Sequence, residues 1–453
     1  MRTSLLKLAW PVLIGQLAVM INGLIDTVMA GRLSAVDLAG IGIASSIYVS
    51  AYIGLMGVLV ALTPIAAQHF GARRFSEIGA DTRQALWLAL AMSIGGTAVI
   101  AQTDWWIALA KPPAEIEPVV RGYLYAVAAG LPGALAFRVF YAMNNAIARP
   151  KVVMAINLIG LLLKVPLNIL FMYGAGPLPA MGGAGCGVAT AVIAWCSALI
   201  ALVIALRDPS YDRFHLLGSM RPDLVRIVEL LRLGIPIAIG YVIEVTSFTA
   251  ISIALARSGT VISASQQIAG NLISLAYMFA LSMGIATSTL TGHAIGAADF
   301  KLARRTALYG IRFTFMLGLA IGCIIVFGRH QIAQLYTSDP QVAAAAVGLL
   351  VWAGSYHVFD ATQCTLSFTL RAYKVANLPT VVYAIALWGI GVGLGWWLAF
   401  ESRPDGLSPA QAFWMAGTLG VLITALGLGW LQWRTFRVAP SAMARYAGMD
   451  RKP

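Results

Sequence analysis

Apolar residues in this chain do not alternate with polar ones. They run in long blocks, each closed by a short polar cluster such as "GARR" or "RDPSYDRF". An α-helix needs roughly 20 apolar residues to cross the hydrocarbon core of a bilayer, and blocks of that size recur along the whole sequence. They predict twelve membrane-spanning helices, at 5–30, 38–69, 83–103, 118–147, 152–174, 183–206, 226–256, 260–294, 303–328, 341–370, 376–400 and 409–433. A closed β-barrel is the other way to satisfy the backbone in lipid, but it is built from short alternating segments, unlike these continuous runs. Within the seventh block, "LGIPIAIGYVIEVTSFTAISIALA", stands a single carboxylate, Glu244. Lipid opposes it, so its presence asks for a reason.

Composition points the same way: 59% of the residues are apolar and 11% charged, about half the charged share of a soluble domain. Arg2 and Lys7 stand before an apolar run as in a signal peptide, but that run continues to Met29 without an early cleavage-like site and reads as the first span. Lys and Arg crowd the N-terminus, the even-numbered connections and the C-terminal tail; the opposite side holds only Arg32, Lys111, Arg121, Arg257, Arg329 and Arg403. By the positive-inside rule both termini are cytoplasmic. The net charge of +13 has this same origin, and with no basic soluble domain in view nucleic acid is not an expected partner. Cys186, Cys196, Cys323 and Cys364 form no CxxC pair, so they predict small packing residues rather than a disulfide framework or a zinc site.

The chain repeats itself. "LAWPVLIGQLAVMINGLIDTVMAG" near the start has a counterpart in "LGIPIAIGYVIEVTSFTAISIALA", "FGARRFSEIGADTRQAL" in "IGAADFKLARRTAL", and "AIARPKVVMAIN" in "LRAYKVANLPTVVY", in the same order. This divides the protein into a six-helix lobe at 1–206, a cytoplasmic linker at 207–225, a second six-helix lobe at 226–433 and a tail at 434–453. Six being even, both halves start from the same side, which gives a pseudo-two-fold axis along the membrane normal. The expected fold class is therefore an all-α integral membrane protein of two six-helix lobes enclosing a cavity, and the default activity is transport by rocking. No GK dipeptide, HExxH or GxSxG occurs. Neither ATP hydrolysis nor an intramembrane enzyme is indicated, and an ion gradient remains as the driving force.

Of 18 Asp and Glu residues only Asp26, Glu244 and Asp360 lie clearly inside spans. A charge there costs at least ~2.5–3.5 kcal/mol, so such residues face a bundle interior or a watery cavity and mark ion pathways; the bland alternative is an interhelical hydrogen bond that locks packing. Tyr241, Glu244 and Phe248 share one helical face, as do Tyr356, Asp360, Gln363 and Ser367. Two carboxylates, a phenol and neutral oxygens suit a monovalent cation, and the same pair could take up a proton.

The runs "IDTVMAGRLSAVDLAGIGIASSIY", "GYVIEVTSF", "SASQQIAGN" and "YHVFDATQCTLSFTLRAYK" together resemble the multidrug and toxic compound extrusion (MATE) family, in particular its NorM branch. The resemblance spans essentially the whole chain. It implies an antiporter of the bacterial inner membrane, a functional monomer among membrane lipids, exporting lipophilic organic cations in exchange for Na+ or H+ and carrying no other cofactor. It also implies that Glu244, Asp360 and Tyr356 form a second-lobe cation site, while Phe248 and Gln267, with Tyr241 on the shared face, line the substrate cavity. Sodium is the expected coupling ion, since a phenol and two carboxylates cage a metal ion better than a proton requires.

In the first lobe the sequence departs from that pattern. Asp26 matches the first-span aspartate, and Asn168 and Thr190 supply polar partners, but Lys164 stands where the related pattern carries Asn. A lysine ammonium beside Asp26 fills the position of a bound cation and lets both charges survive burial; the alternative is that Lys164 points elsewhere and snorkels. The competing function is a flippase for a lipid-linked oligosaccharide, which would line its cleft with more cationic residues than Arg138, Lys164 and Arg312, the basic residues read as lying within spans. An ion channel or membrane enzyme would need a pore motif or a nucleophile and base, and neither is seen.

Overall fold

The computed structural model describes residues 2–174, 178–402 and 404–437; the predicted tail at 434–453 thus falls mostly outside the described residues. Among these, 12 helices are long and apolar enough to cross a membrane. They are α1 (Thr3–Leu33), α2 (Ala35–Gly71), α3 (Phe75–Ile100), α4 (Glu117–Ala146), α5 (Pro150–Tyr173), α6 (Ala184–Arg207), α7 (Leu224–Ala256), α8 (Thr260–Gly296), α9 (Phe300–Phe327), α10 (Pro340–Ala372), α11 (Asn377–Ser402) and α12 (Pro409–Arg437). Several begin before the apolar block does, α3 by eight residues, because a helix has no reason to stop where hydrocarbon ends. Local signals set some starts: Ser34 accepts from Asp37 N at the head of α2, and Asp339, followed by Pro340, accepts from Gln341 N and Val342 N at the head of α10. Over Ala384–Leu394 α11 winds as a wider π-type helix.

The repeat is visible in the backbone. Arg73, Ala148, Ala298 and Lys374, at the ends of α2, α4, α8 and α10, are all left-handed, with φ of 57–60°. Each lets the following amide reach back to a carbonyl five residues earlier, as in Arg74 N to His69 O at 2.9 Å and Asp299 N to Ala294 O at 3.0 Å. The same tight reversal therefore closes the same helix pairs in both halves. A short helix follows the third helix of each half, Thr103–Ala110 and Arg329–Tyr336.

Two compact units result, residues 14–238 and residues up to Leu13 together with those from Ile239 onward. These limits fall inside α1 and α7, whereas the sequence places them at the linker. In the second unit Leu5 and Ala9 of α1 pack with Met283 and Ala286; in the first, Arg226 at the head of α7 holds Glu77 and Asp81 at 2.7 Å each. Lipid tails give apolar helices no reason to associate, so close approach between small residues holds the interfaces. A Cβ on Gly130 of α4 would stand 2.6 Å from Ala191 Cα of α6, and one on Gly322 of α9 would stand 2.7 Å from Gly354 O of α10.

The segment 207–225 is fastened to the first unit rather than hanging as a tether. Asp208 pairs with Arg149 at 2.7 Å, Tyr211 donates to Asn144 Oδ1 at 2.6 Å, Arg83 Nε donates to Ser219 O at 2.9 Å and Trp87 to Met220 O at 2.6 Å. Hydrogen bonds from Ser210, then Arg149, hold the Asp208 carboxyl down at about 2 against an ordinary 3.8. Its contribution is complete above the ordinary value and is lost as pH falls from there through about 2. Gly79 of α3 lies directly beneath the Phe214 carbonyl, and an added Cβ would stand 2.9 Å from Phe214 C and overlap the oxygen. Alanine gains up to ~1 kcal/mol of helix propensity, but overlap with backbone cannot relax by a rotamer change and costs ~1–3 kcal/mol or more. Gly79→Ala is expected to lower the melting temperature in detergent; an unchanged value would show that the segment lifts off without cost.

Candidate functional site

In the first unit three helices converge on one ion pair. Lys164 and Asn168, four residues apart on α5, share a face that meets Asp26 of α1 and Thr190 of α6. Lys164 Nζ stands 2.9 Å from Asp26 Oδ2 and donates to Thr190 Oγ1 at 2.7 Å. Asn168 Nδ2 donates to the other carboxylate oxygen at 2.8 Å, and the Thr190 hydroxyl donates to Cys186 O at 2.9 Å. Lys164 is 2% exposed and Asp26 7%, so neither charge is relieved by solvent. The carboxylate is neutralised internally. Asn168 Oδ1 is buried without a hydrogen-bond partner among the described residues.

The second unit arranges its carboxylates differently. Asp360 of α10 is 3% exposed and accepts from Gln363 Nε2 at 3.0 Å; Gln363 Oε1 in turn accepts from the Tyr383 hydroxyl of α11. Glu244 of α7 is partly exposed and lies within electrostatic reach of Asp360 and Arg371. Among the described residues neither carboxylate has a Lys, Arg or His within ion-pair distance. Tyr356 is buried and within electrostatic reach of both. Its ring stands edge-on to Phe248 at 6.2 Å and to Trp414 of α12 at 5.4 Å between centroids. These aromatics, with Ser247, Gln266 and Gly417, line a cavity of about 30 Å³, room for one or two water-sized groups.

Thus Glu244, Asp360 and Tyr356 come together in one unit, and Asp26, Lys164, Asn168 and Thr190 in the other. Phe248 lines the cavity. Gln267 is exposed and donates to Asn271 Oδ1 at 3.2 Å, while its neighbour Gln266 lines this small cavity and accepts from Trp414 Nε1 at 2.7 Å. One residue is a rotation of about 100° on a helix. Tyr241 binds a buried guanidinium, Arg371 NH1 donating to its hydroxyl at 2.8 Å. Arg371 reads from the sequence as a loop charge, yet α10 continues to Ala372 and the side chain is 8% exposed. The available signal is its spacing of 11 residues, three helical turns, from Asp360.

A sequence model of the MatE family matches residues 11–170 and again 236–397, one match in each half. The chain belongs to the MatE family. As a MatE protein it is 38% identical over 425 residues to a probable multidrug resistance protein NorM of Aromatoleum aromaticum, covering 93% of this chain and 92% of that one. Identity to the multidrug resistance protein NorM of Vibrio cholerae is 36% over 448 residues, 95% of each chain. Its fold superposes on the crystal structure of a eukaryotic MATE transporter, AtDTX14, with a TM-score of 0.87 over 98% of both chains at 18% identity. The all-α, twelve-helix MATE architecture expected from the sequence is therefore established.

Proposed function

We propose that this chain is a secondary active exporter of lipophilic organic cations, driven by exchange for a monovalent cation, with sodium preferred to a proton. The observation that carries this reading is the contrast between the units. Asp26 has a resident ammonium, whereas Glu244 and Asp360 lie within electrostatic reach of each other with no basic partner at ion-pair distance among the described residues. Two carboxylates left without counter-ions at membrane depth require a cation for at least part of a working cycle. The aromatic rings beside them offer faces for flat, apolar cations held at modest affinity, while the small cavity itself has room only for water or a coupling ion. The names of the NorM relatives support multidrug cargo. Location in the bacterial inner membrane with both termini cytoplasmic, and function as a monomer, belong to the same proposal. The few basic residues in the spans weigh against an anionic lipid-linked cargo.

Holding a hundredfold gradient of cargo needs ~2.7 kcal/mol, at ~1.36 per tenfold. Exchange of one monovalent ion for one monovalent drug moves no net charge, so such a cycle draws on the ion's concentration gradient alone. The test uses inside-out vesicles loaded with sodium chloride, diluted into sodium-free medium with the pH gradient collapsed, and a fluorescent lipophilic cation outside. Accumulation of dye in the lumen is expected. Accumulation driven only by a proton gradient would overturn sodium as the ion; accumulation with neither gradient, or none at all, would overturn exchange.

A further inference from the structure

Arg371 is a permanent charge buried in the second unit, and no carboxylate lies within ion-pair distance of it among the described residues. Its guanidinium lies over two rings, 5.0 Å from the Tyr241 centroid and 4.6 Å from that of Phe368, and donates from NH1 to the Tyr241 hydroxyl at 2.8 Å. Such a sandwich holds a cation by ring quadrupoles, and a guanidinium with five donors can exchange one hydrogen-bond acceptor for another. Tyr241 and Glu244 sit at i and i+3 on α7, where side chains are neighbours on one face.

We infer that Arg371 is a positioning residue for ion exchange, a tethered guanidinium that competes with the ion from solution for the Glu244 carboxylate and is held off it by Tyr241. This deepens the proposed function and rests on its assignment of the cation site to the second unit. Tyr241 and Glu244 are three residues apart, a rise of about 4.5 Å along α7, so the move asks for a swing of the long arginine side chain. A bidentate fork matches a carboxylate, so the contact competes well with a monovalent ion. The physical consequence is that Glu244 need not stand bare when the ion leaves, which lowers the cost of the unloaded state and speeds release. Lysine would serve less well, because its compact ammonium keeps neither the fork nor the stacking.

The test is sodium binding by purified full-length protein, read as the rise in melting temperature with sodium chloride balanced by choline chloride at constant ionic strength. Arg371→Gln removes the competitor, so the sodium midpoint is expected to fall about tenfold while the turnover of export falls as well. Tyr241→Phe removes the hydroxyl that restrains Arg371, so the midpoint is expected to rise several-fold. A merely structural role predicts loss of affinity in both, and a fixed background charge predicts tighter binding in Arg371→Gln with Tyr241→Phe unchanged; either pattern overturns the inference. Should Arg371→Gln fail to fold, Arg371→Lys decides: it keeps the charge but loses the fork, so the midpoint is expected to fall, and an unchanged or raised midpoint overturns the inference. If wild-type protein shows no sodium response but Arg371→Gln gains one, the inference stands and sodium-driven export by the wild type falls. If neither responds to sodium, lithium or potassium, the inference is wrong.

Discussion

Glu244→Gln and Asp360→Asn are each expected to abolish ion-driven export while leaving the protein inserted and folded. Both changes keep side-chain shape and hydrogen-bonding capacity and remove the charge that must alternately hold ion and drug. The carboxylates' position at membrane depth makes the direction of the stability effect readable. Among the described residues neither carboxylate has a basic partner at ion-pair distance, so neutralising either one removes an electrostatic penalty, and the melting temperature should hold or rise as transport disappears. Asp360→Asn keeps an oxygen that can accept from Gln363, which protects the link to Tyr383 and α11. The measurement is dye accumulation in inside-out vesicles with thermal unfolding of the same preparations in detergent. Wild-type export by either folded variant would sink the assignment of the site.

Lys164→Met should have the largest effect on stability. It leaves Asp26 buried with Asn168 but without its ammonium, and breaking a buried pair from one side costs about 3–5 kcal/mol. Asp26→Asn is expected to be costly as well, since it strands the ammonium of a lysine only 2% exposed. The double variant removes both charges and should be more stable than either single one, giving a coupling energy well outside error. Lys164→Asn is a separate case: it supplies a neutral amide beside Asp26 and the unpartnered oxygen of Asn168, and is expected to create a cation-dependent rise in melting temperature that Lys164→Met lacks. The double-mutant cycle, run by thermal unfolding in detergent, checks the pair; coupling near zero would mean that the 2.9 Å contact carries no energy.

The meeting of Lys164 with Asp26 is legible from the sequence because so few ionisable groups lie inside spans. In hydrocarbon each must find a partner or a cavity, and with few candidates the pairing is nearly forced. The neighbourhood of Glu244 and Asp360 is legible for the same reason, helped by the face they share with Tyr241 and Tyr356. Gln266 and Gln267 show where this stops. Both occupy an apolar helix, either could face inward, and the choice depends on how α8 is rotated against Trp414 of α12, a contact across 148 residues. Arg371 escapes for a related reason: a basic residue at the end of an apolar block reads as a water-facing charge, and only the ring sandwich supplied by Tyr241 and Phe368 shows that it is buried.

What the sequence determines by itself is whatever the bilayer enforces segment by segment: twelve helices, because every backbone group must be bonded within its own span, and the duplication, because equivalent polar clusters interrupt the two halves in the same order. Tertiary structure decides what depends on how one helix is turned against another. It places the unit limits inside α1 and α7, ties 207–225 to α3, turns Gln266 toward Trp414 and, among the described residues, leaves Glu244 and Asp360 without the internal counter-ion that Asp26 has. Lipid supplies no hydrophobic force between apolar helices, so these outcomes come from close packing of small residues and a few polar contacts between positions far apart in the chain, which no local pattern of residues records.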